Sequence, residues 1–73
     1  MARTVYHVVP NASSWQVKRS GTVLSSHLTK PPAVEAGQRA AKGNQPSQLV
    51  VHKEDGTIEY EYTYGDDPYP PPG

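Results

Sequence analysis

The sequence predicts an α+β fold, a mostly antiparallel sheet of about five strands with one helix on one face, in the order β-β-β-α-β-β. Three observations lead there. Five short runs are rich in β-branched and aromatic residues, two of the junctions between them carry hairpin dipeptides (Ser20-Gly21 and Asp55-Gly56), and a single stretch in the middle carries helix punctuation. With 73 residues there is room for one domain, expected over residues 1–63, followed by a proline-rich tail over 64–73.

Thr4 to Val9 (TVYHVV) is β-branched and aromatic and meets Pro10-Asn11, so it reads as the first strand. After a short loop, Ser14 to Arg19 (SWQVKR) alternates, Ser20-Gly21 supplies a two-residue turn, and Thr22 to His27 (TVLSSH) returns. A simple two-residue register sets Val17 against Leu24 and Trp15 against Ser26, and it places Val23, Ser25 and His27 on the opposite face with Lys18.

The helix is expected over Lys30 to Lys42. Thr29 is placed to cap it through its hydroxyl, Pro31 and Pro32 fall where amide donors are dispensable, and Gly43-Asn44 closes the far end. Its inward stripe, Ala33, Ala36, Gly37, Ala40 and Ala41 with Val34 at the margin, is made of very small side chains suited to a close approach.

Ser47 to Lys53 and Thr57 to Thr63 flank Asp55-Gly56. A two-residue turn there pairs Val51 with Tyr60, Leu49 with Tyr62 and His52 with Glu59. A chain without phenylalanine needs its large rings inside, so Trp15, Tyr60 and Tyr62 are expected in the core. From Tyr64 onward (YGDDPYPPPG) the prolines rule out a sheet interior and favour an extended end.

Composition narrows the function classes. Seven basic and seven acidic side chains cancel, which gives no bulk attraction to a polyanion. The absence of cysteine excludes disulfides, thiolate metal sites and a thiol nucleophile, and it fits a cytoplasmic setting. No apolar run reaches signal-peptide or bilayer-spanning length, so no membrane partner is expected. Phosphate-cradling glycine loops and nucleophile elbows are missing, and His7, His27 and His52 have no metal-binding spacing. The chain therefore reads as non-enzymatic, with no catalytic residue, no metal and no cofactor.

One helix covers one face, which leaves the other open. Val5, His7, Val9, Lys18, Val23, His27, Val50 and His52 are expected on that open face and form the candidate partner-binding surface. The leading expectation is an interaction module for an unknown protein partner or for a second copy of itself, working through this face or through an edge strand. The alternative is an accessory nucleic-acid binder that uses a local basic patch of Arg3, Lys18, Arg19 and Lys30.

The succession HVVP, W-x-V-K-R-x-G, H-L-T-K before an alanine-rich helix, L-V-V-H-K-x-D-G-x-I and T-Y-G-D-D-P resembles a family of short bacterial proteins, domain of unknown function 2188, from Tyr6 to about Pro68. The resemblance implies a compact α+β domain and brings no activity or site residues. Pro31-Pro32 stands where the family pattern leads one to expect an acidic helix start.

Overall fold

The computed structural model describes residues 3–65; the expected proline-rich end beyond Gly65 lies outside the described residues. Five strands and one helix follow in the expected order: β1 (Thr4–Asn11), β2 (Ser14–Arg19), β3 (Thr22–His27), α1 (Lys30–Lys42), β4 (Ser47–His52) and β5 (Ile58–Tyr64). The strands form one mixed sheet in the order β3-β2-β1-β4-β5, antiparallel throughout except for the central β1–β4 pair, which is parallel. Strand β5 runs one residue beyond the expected boundary, to Tyr64, which packs against the core.

The position of β1 follows from its side chains. A central strand is paired on both edges and covered on at least one face, and β1 supplies Tyr6 and Val8, both fully buried. Pro10 is tolerated near its end because pairing with β4 stops at Val8, so no neighbour on that side needs an amide from Pro10. Around Tyr6 and Val8 gather Val17, Leu49 and Val51 from the sheet and Ala33 and Ala41 from the helix. Leu49 and Val8 close on α1 at Gly37, where a Cβ would stand 2.9 Å from Leu49 Cδ1 and 3.1 Å from Val8 Cγ2. The small-residue stripe thus brings the helix backbone directly onto the sheet.

The helix spans the expected 13 residues, but Thr29 makes no side-chain cap bond. A capping hydroxyl accepts from the second or third amide of the helix, and here those positions are Pro31 and Pro32, which have none. At the other end Gly43 keeps a right-handed conformation. Its amide donates to the Arg39 carbonyl, while the Asn44 amide and side chain donate to Ala41 and Ala40. The buried Ser47 hydroxyl also donates to the Ala41 carbonyl, tying β4 to the end of the helix.

Two β-bulges change the expected registers. In β2–β3 the Ser20-Gly21 turn forms and Arg19 faces Thr22. A shift between Val17 and Lys18 then leaves Leu24 as the extra residue, so Val17 faces Ser25 and Trp15 faces His27. In β4–β5 the turn is Lys53–Gly56, closed by the Gly56 amide on the Lys53 carbonyl, with Gly56 left-handed at φ 92°. Asp55-Gly56 therefore occupies the last two positions of a four-residue turn rather than its centre, as in a type I turn followed by a left-handed glycine. Asp55 accepts hydrogen bonds from the Thr57 hydroxyl and amide, which hold its carboxyl below the ordinary carboxylate range. His52 consequently faces Ile58 instead of Glu59, and a second shift restores the expected Val51–Tyr60, Val50–Glu61 and Leu49–Tyr62 pairs.

One assignment to the core is overturned. Tyr60 and Tyr62 lie on the helix side of the sheet but remain 37% and 38% exposed, and Trp15 is only partly buried at the margin. Helix α1 lies over β1, β2 and β4 and touches β3, and its backbone stops short of β5. The ring at the centre of the core is Tyr6, whose buried hydroxyl has no hydrogen-bond partner among the described residues.

Replacing Tyr6 by Phe removes that unpaired hydroxyl and should raise unfolding free energy by about 1 kcal/mol, measured by denaturant titration; a loss of stability would mean the hydroxyl is satisfied. Gly37→Val should cost about 2 kcal/mol through overpacking against Leu49 and Val8, and an unchanged midpoint would show that the helix is free to lift from the sheet.

Candidate groove between the helix and the tyrosine ladder

Three tyrosines recur at every second position of β5 and so share one face. The Tyr60 and Tyr62 rings meet edge to face with centroids 5.2 Å apart, and Tyr62 and Tyr64 follow at 6.3 Å with planes tilted by 32°. Burial first, and the neighbouring Tyr62 second, push the Tyr60 and Tyr64 phenols up from their ordinary value, so both stay neutral at physiological pH. β5 ends the sheet, so among the described residues the ladder has β4 on one side and no strand on the other.

Between Tyr60 and α1 runs an open cleft of about 380 Å³, bordered by Pro31, Val34 and Gln38. Lysines stand at both ends of the ladder. Lys30 Nζ lies 6.0 Å from the Tyr60 centroid and 5.4 Å from that of Trp15, and it is paired with Glu59. Lys42 Nζ lies 6.0 Å from the Tyr64 centroid. Lys30 also borders a second cleft of about 420 Å³, lined by Trp15, Lys53, Glu54 and Glu59. The surface is therefore a strip of aromatic faces with a cation at each end, facing a mixed wall in which Pro31 and Val34 stand beside Glu35 and Gln38.

The expected open-face residues are brought together only in part. Val5, His7 and Val9 lie on that face opposite Gln48, Lys18 and Gln16, with Val23 opposite Lys18 at the β3 side. The valines do not merge into an apolar patch: Val50 is only 6% exposed and lies beside His7 and Glu61, whereas Val23 is 43% exposed and far across the sheet. His27 is not on this face. The bulge at Leu24 reverses the alternation, so His27 faces Trp15 and pairs with the Ser25 hydroxyl.

His7 and His52 do meet, with His7 Nδ1 3.0 Å from His52 Nε2. His52 Nδ1 lies 3.0 Å from the Gly56 carbonyl and must carry the proton there, so Nε2 accepts and His7 Nδ1 donates. Among the described residues no group of three or more His, Asp or Glu side chains is placed to hold a metal ion.

The basic residues are dispersed. Lys18 and Arg19, adjacent in β2, point to opposite faces; Arg3 and Arg19 lie at the end of the sheet where β1 begins; Lys30 sits at the other end, engaged by Glu59.

Residues 6–64 match the family described as an uncharacterized protein conserved in bacteria (DUF2188). The chain belongs to this family. The match spans β1 from Tyr6 through the last tyrosine of the ladder, so the domain that builds the groove is the family's domain, and the segment beyond Gly65 lies outside the match. No curated protein and no solved structure matches the chain. Among the described residues, no helix is long and apolar enough to cross a membrane.

Burial first, and the adjacent His52 second, hold His7 below the ordinary histidine value. The folded protein thus binds this proton less readily than the unfolded chain. The associated stability is complete above the unfolded value of about 6.5 and is lost as pH falls through it toward the depressed folded value. Denaturation midpoints should drop between about pH 7.5 and pH 5, and the drop should shrink in His7→Gln; an identical slope in that variant would exclude His7 as its source.

Proposed function

We propose that this chain is a non-enzymatic, cytoplasmic interaction module that captures an extended segment of a partner protein in the groove between α1 and β5. What supports this reading is the tyrosine ladder: three rings on the helix side of an edge strand, two of them more than a third exposed, in a domain short of large apolar side chains for its own core. Tyrosine is enriched where interfaces gain most of their energy, because it offers a large, stiff apolar face with a polar tip. An edge strand adds a row of unpaired backbone groups that an extended chain can meet.

The groove replaces the valine face as the favoured surface, since Val50 is already covered and the remaining valines are interrupted by Gln16, Lys18, His7 and Gln48. Nucleic-acid binding is not favoured, because the four basic residues proposed for it do not share a face.

Panning a random peptide library against the purified protein tests the reading. Enriched peptides should bind about tenfold or more weakly to Tyr60→Ser and to Tyr62→Ser, and equally well to His7→Gln, with the single Trp15 reporting that each variant is folded. Peptides that bind all forms alike, or a library with no enrichment, would overturn it.

A further inference from the structure

Two strands distant in sequence bring two imidazoles together on the face of the sheet away from the helix. His7 sits opposite Val50 in the parallel β1–β4 pair, so His52, two residues on, is its diagonal neighbour on the same side. Their ring centroids are 5.3 Å apart with planes tilted by 32°, and His7 Nδ1 lies 3.0 Å from His52 Nε2. We propose that His7 Nδ1 and His52 Nε2 form a two-histidine site for a divalent late transition-metal ion of the copper, nickel and zinc class. This site lies across the sheet from the tyrosine groove and does not depend on it.

Three features carry the assignment. The first is spacing. Two nitrogens bound to one ion at about 2.0 Å stand about 2.8 Å apart at a right angle and about 3.3 Å apart at the tetrahedral angle; the observed 3.0 Å lies between. The ion takes its place on the solvent side of the line joining the nitrogens, and turns of the two half-buried rings aim their lone pairs at it. The second is orientation. His52 Nδ1 donates to the Gly56 carbonyl at 3.0 Å, which leaves Nε2 without a proton, and a carbonyl on the far ring nitrogen is the outer-shell partner that metal-bound histidines usually have. The third is the donor set. Two imidazoles suit copper, nickel and zinc, whereas magnesium and calcium take oxygen ligands. Among the described residues no third His, Asp or Glu side chain is placed to join the pair, so the remaining coordination positions fall to solvent. No net proton is exchanged on binding: His7 gives up the hydrogen on Nδ1 and takes one from water on Nε2, so both rings stay neutral while each contributes one lone pair to the ion.

The test uses the untagged full chain with histidine nitrogens isotopically labelled and zinc chloride as the probe. On titration, His7 should pass from the Nδ1–H to the Nε2–H tautomer, His52 should keep its Nδ1–H, and the bound-nitrogen shift should be confined to His7 Nδ1 and His52 Nε2. Calorimetry with zinc, nickel and copper should show affinity weakened about tenfold or more in His7→Gln and in His52→Gln, unchanged in His27→Gln, and no heat with magnesium. Absence of binding by all three transition metals would overturn the assignment. So would binding that survives in both glutamine variants, or zinc shifts that fall on His27 alone. The ring-nitrogen shifts are read on the unaltered sequence, so they decide the matter even where a substitution unfolds the chain.

Discussion

The seating of Gly37 against Leu49 and Val8 is the contact on which the remaining architecture depends. A helix whose inward stripe is glycine and alanine contributes little apolar area, so it is useful to the core only if its backbone approaches the sheet closely. That closeness brings Ala33 and Ala41 to full burial over Tyr6, and it lets the Ser47 hydroxyl reach the Ala41 carbonyl at the helix end. The same contact fixes how far across the sheet the helix extends. Strands about 4.8 Å apart set the outer strands of such a sheet about 19 Å apart, whereas a helix is about 10 Å across. One helix seated over β1 therefore leaves an outer strand uncovered, and the strand left out is β5 with its three tyrosines.

The candidate groove is thus a by-product of how the core is built. Tyr60 and Tyr62 share a face with Leu49 and Val51, and a wider or bulkier helix would have sealed them in. Lys30 and Lys42 frame the gap from the two ends of α1, one paired with Glu59 and close to Trp15, the other above Tyr64. The histidine pair on the opposite face is a separate matter, a local contact in which His7 donates a hydrogen bond to His52.

Much of this was legible in the residues. Element order, the bounds of β2, β3 and α1, the turn at Ser20-Gly21, and the close packing of Gly37 all follow from alternation, punctuation and side-chain size. The strand order did not follow, because nothing local in Thr4–Asn11 says that its second edge will receive β4 in parallel. The faces of Ser25 and His27 were misassigned because a bulge inserts one residue without any glycine to announce it, and each such residue reverses the alternation beyond it. Thr29 was read as a cap from its own chemistry alone, although Pro31 and Pro32 had already removed the amides it would have served. The tyrosine ladder was missed as a surface through an assumption that all large rings must be inside. The signal that points outward was present in the sequence: five strands, one helix, and a helix face too small to reach the edge.

The parallel pairing of β1 with β4 carries a further implication for how the molecule assembles. Residues 4–8 find their second neighbours only at residues 47–51, with two strands and the helix intervening. Hairpin β2–β3 can close locally, but the middle of the sheet cannot be completed until residues 47–51 have emerged from the ribosome, and closing a loop of that span carries an entropic cost that slows folding. During synthesis β1 therefore waits with one edge unpaired and with Tyr6 and Val8 uncovered, open to neighbouring chains until β4 arrives.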